Sequence, residues 1–96
     1  MTSKQRAYLR GLANRLTPIL QIGKSGLSEN LIKQIDDALE ARELIKITVL
    51  ETAPEDIKSL GNEISEQTNS VFVQSIGSKI TLYRARKKDG KIILPK

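Results

Sequence analysis

The stretch Ile19-Leu20-Gln21-Ile22-Gly23-Lys24-Ser25-Gly26 constrains this chain more than any other. An apolar run leads into two glycines that bracket a lysine and a serine. Ser28, a good helix N-cap, follows almost at once, and a helical pattern follows Ser28. The stretch therefore reads as a strand that turns into a helix. A strand needs a sheet, and the attached helix needs a sheet face to cover, so the chain is committed to layered α/β packing. The run Ile19 to Ile22 is apolar at nearly every residue, which predicts burial on both faces. The glycines permit φ > 0 and close backbone approach. The first N–H groups of the next helix lack partners within it, and that helix end carries partial positive charge. With Lys24 added, loop and helix end make a phosphate cradle. A GxxG loop alone also fits a plain tight turn, so the remaining residues must decide.

Upstream, Ser3 is expected to cap a helix running to about Leu16, with Leu9, Leu12, Ala13 and Leu16 on one stripe. Arg6 and Arg10 share one edge of that helix, and Lys4, Tyr8 and Arg15 the other. Thr17-Pro18 ends it, because the residue before proline avoids the α region. Downstream, Leu31, Ile35, Ala38 and Leu39 form a second stripe. Its outer face carries Asp36, Asp37, Glu40 and Glu43, all expected in solvent. Leu44 to Leu50 alternates as a strand. Pro54 is expected to open a third helix, with Glu55 and Asp56 in its first turn and Ile57, Leu60 and Ile64 facing the core. Val71–Ile76 and Lys79–Arg84, joined by Gly77-Ser78, read as a hairpin whose second strand alternates cleanly. The order α-β-α-β-α-β-β predicts an α/β fold in which a mixed four-stranded sheet packs with three helices. Helix-linked strands should pair in parallel and the last hairpin antiparallel.

Charge is distributed unevenly along the chain. Residues 1–28 contain Lys4, Arg6, Arg10, Arg15 and Lys24 and no acid. Residues 29–70 hold ten acids and four bases, and residues 71–96 hold seven bases and one acid. Two basic ends around an acidic middle point to a polyanionic partner, and ends that meet in the fold would form one patch.

Cysteine and histidine are both absent. Thiolate chemistry and zinc–cysteine sites are thereby excluded, along with the commonest general base. The acidic face of the second helix offers no credible acid–base pair. The chain is therefore expected not to be an enzyme and to need no cofactor or metal. No apolar stretch approaches a bilayer span, and the N-terminus is not a signal-peptide core. These features predict one domain over residues 1–96, cytoplasmic, monomeric and without a membrane partner, whose residues 86–96 form a basic tail.

The segments Lys4-Gln5-Arg6-Ala7-Tyr8-Leu9-Arg10, Leu12-Ala13 and Ile22-Gly23-Lys24-Ser25-Gly26-Leu27 resemble the YhbY family, whose members are built from a single CRM (chloroplast RNA splicing and ribosome maturation) domain. Ile76-Gly77 followed by Leu82-Tyr83-Arg84 resembles the family's C-terminal signature. The resemblance spans about Thr2 to Arg84. It implies the fold reached above, similar to the C-terminal domain of the third translation initiation factor. It also implies RNA as the partner, specifically ribosomal RNA in precursors of the large subunit, and a role in ribosome assembly. The family often has histidine where this chain has Asn14.

The expected interface comprises Gly23, Lys24, Ser25 and Gly26 with flanking Lys4, Arg6, Arg10, Arg84, Arg86, Lys87 and Lys88. Loop amides and Lys24 would take phosphate, as GxxG loops clamp RNA backbone in KH domains. The arginines and lysines would neutralise neighbouring phosphates. Phe72 is expected in the core, and Tyr8 and Tyr83 in packing more than stacking. Recognition should then rest on shape and backbone. The competing reading is a protein-interaction module whose acidic helices bind a basic ribosomal protein.

Overall fold

The computed structural model describes residues 1–86 and 90–95. Lys87, Lys88 and the end of the expected tail lie outside the described residues.

Helix α1 runs Ser3–Ala13, and its cap is Thr2, one residue before the expected Ser3. The Thr2 hydroxyl accepts from the Gln5 amide while the Gln5 side chain accepts from the Thr2 amide, both at 3.1 Å. This capping box satisfies two end donors at once, which a lone serine cannot do. The helix stops at Asn14, short of Leu16. Strand β1 follows as Leu20–Ile22.

Helix α2, Glu29–Arg42, starts as expected, with the Leu31 amide donating to Ser28 Oγ. Strand β2 is Leu44–Val49. Helix α3 is Ile57–Thr68, beginning three residues past Pro54. Asp56 is its cap and accepts from the Ser59 amide at 2.8 Å. Pro54 instead packs against Gly26 in the loop before α2. Strands β3, Val71–Ile76, and β4, Lys79–Tyr83, form the expected hairpin. Its two-residue turn has φ +56° at Gly77, the left-handed conformation that glycine adopts without strain.

The sheet order is β1-β2-β4-β3. β1 and β2 pair in parallel, as expected for a crossover through α2. β2 and β3, also linked by a helix, do not pair. β4 lies between them, antiparallel to both. This placement reconciles two demands. The crossover through α3 keeps β2 and β3 co-directional, and the short hairpin brings β4 back between them.

β4 is thus central, and four of its five residues are buried where simple alternation was expected. Both of its faces are covered. On one side Ile45, Ile47, Ile80 and Leu82 pack with Ile35 and Leu39 of α2 and Leu60 and Ile64 of α3. On the other, Leu44, Val73 and Tyr83 pack with Leu9 and Ala13 of α1. α1 does not reach over β1, so Gln21 is exposed and the expected two-sided burial fails there.

Among the described residues the tail forms no strand. Ile92 and Leu94 pack into the α1 cluster, and Pro95 accepts a hydrogen bond from Gln5 Nε2. Glu43, expected in solvent, is 2 % exposed. It caps α2 with φ +67°, which turns its side chain out of the helix face and under the tail. There its carboxylate accepts from the Lys91 amide.

Candidate nucleic-acid interface

The Gly23–Gly26 loop is a tight turn closed by the Gly26 amide donating to Gly23 O at 3.0 Å. Lys24 and Ser25 are exposed at its tip. The two glycines do different work. Gly26 has φ +64°, and a Cβ there would come 3.1 Å from Pro54 Cγ, so conformation and space both require glycine. Gly23 has no such constraint, since a Cβ there would meet Leu50 and Thr52 at ordinary contact distance. Among the described residues the amides of Lys24 and Ser25 have no acceptor, and Lys24 forms no ion pair. The turn also leads into the positive end of α2, although Glu29 in that first turn opposes part of the attraction for an anion.

The structure does not bring the two basic ends of the chain together at this loop. Ile22 pairs with Val49 at one end of β2, whereas Tyr83, just before Arg84, pairs with Leu44 at the other. Five residues of strand separate them, roughly 16 Å.

Arg84 is also engaged internally. Its Nη1 donates to Asp36 Oδ1 at 2.6 Å and to Thr68 O at 2.8 Å, and its Nη2 donates to Asp36 O at 3.0 Å. It therefore ties the last turn of α3 to the middle of α2. Arg6 has a similar task. Its Nη1 donates to Phe72 O and Val73 O at 2.8 and 2.7 Å. These carbonyls flank the point where β3 bulges against β4. A bulge frees backbone groups from the ladder, and the guanidinium takes them. Arg86 is half-buried, and its Nε has no partner among the described residues.

The cations left exposed without an ion pair among the described residues include Lys4, Arg10 and Arg15 of the α1 segment, Lys24, and Lys79. Lys46 is half-buried and likewise unpaired. Sequence reasoning passed over Lys46 because it lies in the acidic middle segment, and over Lys79 because it opens an alternating strand. One signal was available: α1 and the four strands contain no acid at all. In the fold, the acids of the middle segment belong mainly to the α2/α3 layer and its turns, and the α1 side of the sheet carries positive charge.

Of three aromatic residues, Phe72 is half-buried against α3 and Tyr83 is buried. Only Tyr8, at 43 % exposure, could stack on a base. Burial raises the Tyr83 hydroxyl above its ordinary value near 10, and the nearby Glu43 carboxylate adds to the shift. The neutral phenol is favoured in the fold, so its contribution is complete below that ordinary value and is lost as pH rises through the folded one. Stability measured by denaturant should therefore fall above about pH 10, and Tyr83→Phe should flatten that limb. An identical alkaline limb in both proteins would refute the assignment.

Residues 1–84 match the family described as the CRS1/YhbY (CRM) domain. The chain is 46% identical over 95 residues to the Probable RNA-binding protein YqeI of Bacillus subtilis, covering 99% of each chain. It is 36% identical over 96 residues to an RNA-binding protein of Haemophilus influenzae, covering 100% of this chain and 96% of that one. The solution structure of a Staphylococcus aureus protein superposes with a TM-score of 0.84 at 54% identity, covering 99% of both chains. Fold, loop and sequence agree: the chain belongs to the CRS1/YhbY (CRM) domain family.

Proposed function

We propose that this protein binds RNA through the Gly23–Gly26 turn and the exposed basic residues beside α1, and assists assembly of the large ribosomal subunit in the cytoplasm by associating with its precursor RNA. The observation that carries the reading is the Lys24–Ser25 tip: two exposed residues at the entrance to a helix, whose two amides and one ammonium have no partner among the described residues. Such a tip takes a phosphate. Lys4 and Arg10 add positive charge from α1, which has no acid to offset it. Arg6 serves this surface indirectly, by fixing α1 against β3, whereas Arg84 braces α3 against α2 and contributes stability. The RNA-binding names of the relatives support the partner class, and the YhbY resemblance supports the ribosomal destination.

The test is a salt titration of binding to precursor large-subunit RNA. Lys24→Ala and Arg10→Ala should each reduce the log–log slope by roughly 0.7, the value for one neutralised phosphate on a single strand. Crosslinking in cells should recover ribosomal RNA fragments above messenger RNA. Unchanged affinity in both variants, with a ribosomal protein instead released on reversing Asp37 and Glu66, would move the function to the acidic helices.

A further inference from the structure

We propose that the half of the sheet left open beside α1 is a second RNA-contacting surface, which receives an unpaired stretch of the same RNA that the Gly23–Gly26 turn anchors. The inference rests on the RNA-binding reading above and extends it to residues outside the loop and helix.

The strand register defines the surface. Gln21 pairs with Thr48, Thr48 with Lys79, and Lys79 with Ile76, one row across all four strands. Beside it, Lys46 pairs with Thr81 and Thr81 with Gln74. Alternation puts these side chains on the α1 side of the sheet, since Ile45, Ile47, Ile80 and Leu82 point into the α2/α3 core. Leu9 and Ala13 of α1 cover only the far half of that side, over Leu44, Val73 and Tyr83. The first row therefore stays open: Gln21 and Lys79 are exposed, Thr48 is half-buried, and Ile76 is 61 % exposed.

Three features give the occupant its chemistry. The only charges on the four strands are Lys46 and Lys79, both on this face, and neither is ion-paired among the described residues. The face is thus complementary to a polyanion. Gln21, Thr48 and Gln74 offer donors and acceptors suited to base edges, and Ile76 offers an apolar plate at the end of the row. Watson–Crick edges are free in single strands and occupied by pairing in duplex RNA, so the occupant is unpaired. Finally, the row adjoins the anchor. Leu50, just past β2, donates to Ile22 O at 2.9 Å, and Val49 donates to Ser78 O at 2.7 Å, so loop, β2 and hairpin turn share one end of the sheet.

The experiment compares wild type, Lys24→Ala and the Lys46→Gln/Lys79→Gln double variant in binding a short single-stranded RNA of mixed sequence and a duplex of the same sequence. Unfolding curves confirm that each variant folds. The double variant should lose about 1.4 from the single-strand salt slope and roughly tenfold in affinity at physiological salt. It should bind duplex as wild type does. A single-strand slope unchanged in the double variant while Lys24→Ala loses binding would overturn the sheet surface alone. Equal losses on single strand and duplex would overturn the assignment to unpaired RNA. Failure of wild type to bind either RNA would remove the RNA reading itself, and the sheet proposal with it.

Discussion

Replacing Arg84 with methionine is expected to lower the unfolding free energy by about 2–3 kcal/mol, with RNA affinity per folded molecule retained. Methionine keeps much of the aliphatic packing, so the loss isolates the guanidinium. The ion pairs themselves contribute little. Asp36 is 53% exposed at its side chain and Glu40 56%, and water screens both. The larger part comes from Thr68 O and Asp36 O, which accept from a guanidinium whose side chain is only 19% exposed. Thr68 ends α3, where the last carbonyls have no intrahelical donor, so a cation there meets both an unpaired acceptor and the negative end of the helix. In a domain of this size the loss corresponds to a fall in Tm on the order of 10–20 °C. Thermal and denaturant unfolding measure it, and the RNA salt slope is taken where the variant is fully folded. A variant as stable as wild type, but with a reduced slope, would return Arg84 to the RNA surface.

Arg84 also shows how far sequence reasoning reaches. Its position at the end of an alternating strand and its family signature are legible in the chain. Its partners are not, because Asp36 and Thr68 are distant in sequence and meet it only once β4 inserts between β2 and β3. That insertion separates loop from tail, and charge counting along the chain has no access to it. Glu43 fails for a local reason. As one of four acids on a helix it belongs in solvent, but the helix ends there, and the left-handed turn at its Cα redirects the side chain. The elements themselves were legible, since the apolar stripes of α1, α2 and α3 and the hairpin turn follow from period and turn chemistry. The Lys24–Ser25 tip was legible too, because a solvent-facing turn between a strand and a helix needs no tertiary partner to define it.

The second large effect is expected at Gly61, inside α3, where glycine is intrinsically unfavourable by about 1 kcal/mol relative to alanine. The fold keeps it for space. A Cβ at Gly61 would lie 2.5 Å from Phe72 Cζ, 2.6 Å from Cε2 and 2.8 Å from Cε1. Gly61→Val must expel the ring from the groove between α3 and β3 or lift the helix from the sheet. Either should cost about 2–4 kcal/mol, the sum of overpacking and lost aromatic burial. Gly61→Ala should cost less, because improved helix propensity offsets part of the clash. The decisive measurement is a double-mutant cycle with Phe72→Leu, whose side chain ends short of the ring's far edge. A clash predicts that the second substitution recovers at least about 1 kcal/mol of the Gly61→Val loss. Strictly additive effects would refute the contact. The consequence extends past stability. The carbonyls of Phe72 and Val73 are the ones that Arg6 of α1 holds, so displacing the ring disturbs the strand against which the basic helix is registered. A modest loss of RNA affinity should accompany the loss of stability in Gly61→Val, and both should recover together when Phe72→Leu is added.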